Sequence, residues 1–294
     1  MNFIVTLLST ITLGLATPLT TFLDSTPSAG DSLETPLLTL NYIPAGQFTM
    51  GSPASEQGRR SDENQVEVTL TSPFLMATTE VSQGLWLAIM GQTIDELIAS
   101  KADPLGRGAN LKNYPSATGP DQPMCFVSYF DCLEFCQKLT AQYQADGLIP
   151  ADYHFTLPTE AQWEFAARAG TQTVFSIGNV LTSNDANFYG KMPYGTEVKG
   201  EYREKTTPIK SFAPTPWGLY DIHGNVYEWC LDWYTEELTG GTNPAEMTTG
   251  DSRCIRGGPW NRKATSLRSA YRYSYDPTQR TNNIGFRVVL QKQG

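Results

Sequence analysis

The sequence predicts an α+β domain of short helices, few strands and very long irregular loops. Three observations point to it. Helical periodicity is confined to short segments near residues 82–91, 128–144 and 159–170. Strand-like alternation comes in brief runs such as "VEVTLTSPFLMATTEVS" and "NIGFRVVLQ". Between them lie long stretches of Gly, Asn, Tyr and Pro without any period. A core built this way leans on aromatic packing, and aromatics make up 11% of the 294 residues.

Residues 3–16, "FIVTLLSTITLGLA", are apolar and end on small residues before Thr17 and Pro18. That length suits a signal peptide over residues 1–16 and is short for a membrane span, although no Lys or Arg precedes it. Residues 17–37, rich in Thr, Ser and Pro, read as a linker, so the folded domain is placed at 38–294. No other run is long and apolar enough to span a bilayer. The net charge of −9 argues against nucleic acid or an anionic membrane as the partner. Basic residues nonetheless concentrate between Arg253 and Arg287.

The elements follow in order. "LLTLNYIPAGQFTMGS" offers two short strands around "PAG". "SQGLWLAIMG" reads as a helix with Ser82 as N-cap and Gly91 as stop. "SYFDCLEFCQKLTAQYQ" is the longest helix, with Phe130, Leu133, Phe135, Cys136 and Leu139 as its apolar stripe. "TEAQWEFAARAG" is a helix capped by Thr159, with Gln162 in capping-box position. Short strands with turns fill the last third. The five cysteines form no C-x-x-C pair, which disfavours a zinc ribbon or a thioredoxin-type site. Export would allow some to pair, and the odd count leaves at least one thiol over.

Several phrases together carry a resemblance: "IPAGQFTMGS", "EVSQGLWLAIMG", "VSYFDCLEFCQKL", "LPTEAQWEFAARAG", "WGLYDIHGNVYEWCLDWY", "RGGPW" and "NNIGFRVV". In this order the chain resembles the sulfatase-modifying-factor family, that of the formylglycine-generating enzyme, over roughly residues 38–291. The resemblance implies a C-type-lectin-like α+β fold, often with bound calcium. The family's oxidase holds copper on two thiolates, which suit Cu(I). Here Arg262 and Leu267 occupy the matching positions, and Pro259 replaces a pocket serine. Copper and formylglycine formation are therefore not expected. A three-histidine iron branch is disfavoured too, since only His154 and His223 are present. A siderophore-maturing branch stays open.

For calcium, the resemblance implies two sites. One is the "HGNVYEW" turn, with the carbonyls of Gly224 and Val226, Asn225 as orienter and the Glu228 carboxylate. The other uses Asn187, Phe188, Glu201 and the Arg203 carbonyl, with Glu201 standing in for the usual Asp. His223 reads as a structural donor. Glu160 and Glu164, one turn apart, read as structural rather than as an acid/base pair.

The stretch "RGGPWNRKATSLRSAYRYSYDP" holds the binding candidates. Strand spacing puts Ser269, Tyr271, Tyr273 and Tyr275 on one face and Arg268, Arg272 and Ser274 on the other. Arg268, Arg272 and Arg287 read as structural, with Arg268 and Arg272 pairing Glu228 and Asp232. Asn261, Arg262, Thr265, Tyr273, Tyr275 and Asn283 are the candidate ligand-binding residues, because exposed Tyr and Arg suit recognition. The frame also resembles the variable proteins of diversity-generating retroelements. The expected function is an exported, calcium-stabilised binding or accessory module recognising a protein, peptide or glycan. Its alternatives are a protein-modifying oxidoreductase of the family or a retroelement-diversified binder.

Overall fold

The computed structural model describes residues 17–100 and 117–293, so the expected signal peptide lies outside the described residues. Three sheets organise these residues, in the strand orders β1-β2-β5-β12-β6, β10-β9-β7-β11 and β3-β4-β8.

The first sheet joins the two ends of the chain. It contains β1 (Ser32–Glu34), β2 (Thr39–Ile43), β5 (Phe74–Ala77), β6 (Tyr153–Thr156) and β12 (Val289–Lys292), all antiparallel. Residues 17–37 are thus no linker. A short helix, α1 (Leu19–Asp24), and β1 sit there, with Leu19 and Leu33 buried in the main core. The Thr/Ser/Pro content hid two apolar anchors, and local composition does not report pairing with a distant strand.

"VEVTLTSPFLMATTEVS" splits into β4 (Val66–Leu70) and β5, because Pro73 cannot donate to a ladder. β4 joins β3 (Gly46–Met50) and β8 (Gly241–Thr242) in the third sheet. The second sheet contains β7 (Tyr227–Trp233), β9 (Arg253–Arg256), β10 (Tyr273–Tyr275) and β11 (Ile284–Gly285).

The helices follow their caps. In α2 (Gln83–Met90) the Ser82 hydroxyl accepts from the Leu85 amide, and Gly91 closes it at φ 68. A further helix, α3 (Ile94–Ser100), follows it. Full capping boxes open α4 (Tyr129–Ala145), from Ser128 and Asp131, and α5 (Glu160–Arg168), from Thr159 and Gln162. The buried face of α4 is Tyr129, Cys132, Phe135, Cys136, Leu139 and Tyr143. Phe130 falls off that face, is 53% exposed, and meets the Tyr129 ring edge-on. The main core stacks Trp86 on Phe135, with Phe286 edge-on to both.

Residues 169–226 contain no named helix or strand. Phe175, Leu181, Phe188 and Tyr194 from this segment, with Ala264 and Leu267, form a small core of their own.

Buried ion pairs fix the rest. Arg272 forks onto Glu160 at 2.7 and 2.8 Å. Arg256 bridges Glu160 at 2.8 Å and Glu164 at 2.6 Å. Arg268 grips Glu63 with two bonds of 2.7 Å and reaches Glu56 at 2.5 Å. Arg287 pairs with Glu228 at 2.8 Å. Arg268 and Arg272 are therefore structural, as expected, but their carboxylates are not Glu228 and Asp232. Only residues 273–275 of the expected long strand are extended. The preceding segment coils through a 3-10 turn (Ala264–Ser266), which turns both guanidiniums inward.

Burial opposes ionisation of Glu160, yet Arg272 and Arg256 hold its pKa down, from 4.5 to about 2. A depressed carboxylate stabilises the fold above its unfolded pKa, and that contribution vanishes as pH falls through the folded one. Unfolding free energy is expected to drop by roughly 3 kcal/mol between pH 5.5 and pH 2 through this group. Urea denaturation across that range should show this decline in the wild type. A Glu160→Gln variant should be weaker at neutral pH and lack that part of the slope.

Candidate functional site

The site begins at the glycine pair. Gly257 and Gly258 both take left-handed backbone, at φ 86 and 75. A Cβ on Gly258 would meet the Ser266 carbonyl at 2.4 Å. This turn carries the chain from β9 into "PWNRKATSL". Trp260 then buries its ring and donates its indole N–H to the Asn282 carbonyl at 3.3 Å. Asn261 and Asn283 meet through a side-chain bond of 3.1 Å, which Thr281 supports by donating to Asn283. Two of the expected residues, distant in sequence, are thus brought together.

Tyr273 and Tyr275 lie on β10, the edge strand of the second sheet. Tyr273 stacks on Tyr227, centroids 5.8 Å apart, and on Tyr271, 6.5 Å apart. Arg60 sits over Tyr271 and Tyr273 at 5.6 and 5.9 Å. The Arg262 side chain is exposed, while its backbone is anchored by the Tyr189 amide at 2.8 Å. Thr265 is engaged elsewhere. It packs against the Gly58 turn, and its carbonyl accepts from Arg268 Nε at 2.9 Å.

Sequence reasoning put Tyr271 on this face but missed Tyr227 and Arg60 as parts of it. Tyr227 lies in "GNVYE", read there only for calcium, and Arg60 lies in a loop with no local pattern. Only the fold brings them to β10.

Where thiolates would be needed, Leu267 is fully buried in the small core. His223 fixes the Leu267 backbone: its Nδ1–H donates to the Leu267 carbonyl at 2.9 Å, while Nε2 accepts the Ser176 amide at 3.0 Å. Burial pushes His223 down to about 4, so the ring is neutral and acts as the structural donor expected. All five cysteines are free and buried. Burial raises the Cys125 thiol to about 12 and lifts Cys132, Cys136, Cys230 and Cys254 as well.

Among the residues expected to bind calcium, Asn187 and Asn225 are joined. Asn187 Nδ2 donates to Asn225 Oδ1 at 3.0 Å, and the Asn225 amide donates to the Asn187 carbonyl at 2.8 Å. Gly224, at φ 123, allows this approach, since a Cβ there would lie 2.5 Å from that carbonyl. Phe188 is buried, with Asn187 beside it. The Glu201 side chain is 65% exposed and pairs with Arg203 at 3.2 Å. Both Glu228 oxygens are engaged, by Arg287 and by the Trp163 indole at 2.7 Å. Val226 adjoins Glu228 in the same buried run. Buried amide and carboxylate oxygens without a partner are instead Asn187 Oδ1, Asp221 Oδ1 and Glu80 Oε2. Burial, then Asp221, raises Glu80, while burial lifts Asp221 to about 6. No group of three or more His, Cys, Asp or Glu side chains among the described residues forms a metal cage.

Glu160 and Glu164 are both held by buried guanidiniums in this arrangement. Glu164 accepts the Gly51 amide at 2.9 Å and Arg168 Nε at 2.9 Å, tying α5 to the loop after β3.

Residues 31–292 match the model of the sulfatase-modifying factor enzyme 1-like domain. The formylglycine-generating enzyme of Streptomyces coelicolor is 28% identical over 291 residues, covering 84% of this chain and 87% of that enzyme. A serine/threonine-protein kinase pkn1 of Chlamydia caviae is 36% identical over 142 residues. That match covers 45% of this chain and only 20% of the kinase. PvdO from Pseudomonas aeruginosa superposes with TM-score 0.70 at 26% identity, over 90% of this chain and 99% of PvdO. Treponema denticola variable protein 1 superposes with TM-score 0.64 at 26% identity, over 86% and 94%.

The buried thiols generate a direct expectation. Ellman's reagent should label none of the five cysteines within minutes in the native protein, and all five after denaturation in guanidinium. Rapid labelling of one or two native thiols would contradict the burial described here.

Proposed function

The chain belongs to the sulfatase-modifying factor enzyme 1-like family, and we propose that it is an exported binding or accessory module, stabilised by calcium, which recognises a protein, peptide or glycan. The observation that carries this reading is the exchange at the site. Arg262 and Leu267 stand where the oxidase needs thiolates, and Leu267 is sealed in a core. A cation and an aliphatic side chain cannot hold Cu(I) between them. What the face presents instead is the Asn261–Asn283 pair, the Tyr273 stack and the exposed Arg262. Rigid aromatics and paired amides recognise a ligand at low entropy cost.

Export is supported by the apolar run at residues 3–16, and no described helix is long and apolar enough to cross a membrane. Calcium is supported by the chemistry of the unpartnered oxygens. Asn187, Asp221 and Glu80 supply hard donors beside the expected Gly224 and Val226 carbonyls. A divalent cation there would offset the crowding of Glu80, Asp221 and Glu228 around the single Arg287 guanidinium. When bound it would supply charge neutralisation and loop order, not chemistry on a substrate.

A second reading, a retroelement-diversified binder, is favoured by the similarity to the Treponema denticola variable protein. A third, a protein-modifying oxidoreductase, is favoured by the near full-length match to the Streptomyces coelicolor enzyme.

Metal analysis of purified protein should find calcium and no stoichiometric copper. Chelation with EGTA is expected to lower Tm by about 5 °C, on the order of 2 kcal/mol of linked binding. On peptide and glycan arrays, a double Asn261→Ala/Asn283→Ala variant should lose signal at least tenfold. Stoichiometric copper with oxygen consumption on a cysteine-containing peptide would overturn the binding-module reading in favour of the oxidoreductase.

A further inference from the structure

A cavity of about 280 Å³ opens where β7 ends, and it shares no lining residue with the Asn261–Asn283 pair or the tyrosine stack. Ligand pockets commonly hold roughly 300–1,000 Å³, so this one suits a single side-chain-sized group. The ladder between β7 and β9 slips between Trp229 and Trp233, and such a bulge re-aims the side chains it carries. Asp232 lies in that interval and lines the cavity, 6% exposed. Its carboxylate accepts backbone amides, from Glu160 at 2.7 Å and Glu246 at 3.0 Å. The neighbouring Arg253 donates to the Leu231 carbonyl instead, and its guanidinium lies over the Tyr129 and Trp233 rings. Burial, then Glu160, pushes Asp232 up to about 7, the mark of a carboxylate short of a cation.

The donors around the cavity are directed elsewhere. Arg272 holds Glu160 and the carbonyls of Asp62 and Thr235. The Asn243 amide donates to the Thr71 hydroxyl, and the Thr235 hydroxyl donates to the Glu237 carbonyl. Glu246 brings a second carboxylate to the lining, with Oε1 accepting the Thr248 amide at 3.0 Å. Met50, Ala161 and Leu238, all buried, supply apolar wall. A ligand here must bring hydrogen-bond donors and positive charge on an apolar stem. A primary ammonium on a straight aliphatic chain has that form.

We propose that this cavity binds a primary alkylammonium group, from a lysine side chain of a peptide or from a free aliphatic diamine, with Asp232 as its counter-charge. The ammonium donates to the Asp232 carboxylate, and the partly exposed Glu246 adds attraction. The stem lies along Met50 and Leu238. Glu160, already held by Arg256 and Arg272, takes no part in the contact. This is a second site, separate from the proposed recognition face and not dependent on it.

The test titrates the full chain by calorimetry with Nα-acetyl-lysine amide, with cadaverine, and with the Nε-acetylated form of the first as an uncharged control. At least one amine should bind saturably and the control should not, and the tighter of the two amines identifies the source of the ammonium. Asp232→Asn should weaken that amine by roughly tenfold or more. Because Asp232 also holds two backbone amides, a melting curve accompanies this variant. Ala245→Phe is the second variant: it obstructs the cavity from an exposed position without touching those amides. It should abolish binding and leave Tm nearly unchanged. No saturable binding of either amine, equal binding of the control, or wild-type affinity in Ala245→Phe or in a folded Asp232→Asn would overturn the site. The Asn261→Ala/Asn283→Ala variant should bind the amines as the wild type does. A matching loss there would move the binding to the recognition face and overturn this assignment.

Discussion

The structure depends on buried guanidiniums that are shared between carboxylates and loop carbonyls. Arg272 holds Glu160 and also donates to the carbonyls of Asp62 and Thr235 at 2.9 Å each. Arg287 holds Glu228 and the carbonyls of Ala77 and Tyr220. Arg268 adds the Gly58 carbonyl to its two glutamates, and Arg168 reaches the Gly51 carbonyl. Irregular backbone cannot satisfy its own carbonyls as helices and ladders do. A fork of five N–H donors does so at a distance, provided carboxylates keep its charge paired. Removing one partner of such a pair strands the other and costs about 3–5 kcal/mol, far more than any surface pair.

This network also supports the tyrosine face from beneath. The Arg268 guanidinium lies 5.8 Å from the Tyr271 ring centre, and the loop carrying Arg60 is closed by Glu56, Gly58 and Glu63 on Arg268. Asn225 does similar work on the other flank at φ 63. It accepts from Asn187 and Thr207 and donates to Glu80 at 3.0 Å, linking three loops. The face is therefore mounted on rigid parts although little of it lies in regular secondary structure. The family's scaffold persists here around an exposed Arg262 and a buried Leu267.

Much of the fold was legible from local sequence. Ser82 and Thr159 announced two helices because a cap and its partner lie within three residues, and the apolar stripe through Phe135 and Leu139 announced α4. Less legible was the α4 face, where Phe130 looked like core. The rotation of a helix about its axis is set by what packs on it, here α2 and β6. The linker reading failed at Leu19 and Leu33 for the same reason, since two apolar residues in a polar stretch gain meaning only from the core they reach.

By itself the sequence determined the family resemblance, the helix caps and the absence of thiolates at Arg262 and Leu267. Each of these is a matter of residue identity and short spacing. Only the tertiary structure decided which carboxylate each arginine takes, and that Tyr227 stacks on Tyr273. Arg268 and Glu63 are 205 positions apart. Any of several buried acids would have satisfied that charge equally well on paper. Geometry chooses among them, because a desolvated guanidinium is tolerated only where its carboxylate and its carbonyls converge at bonding distance.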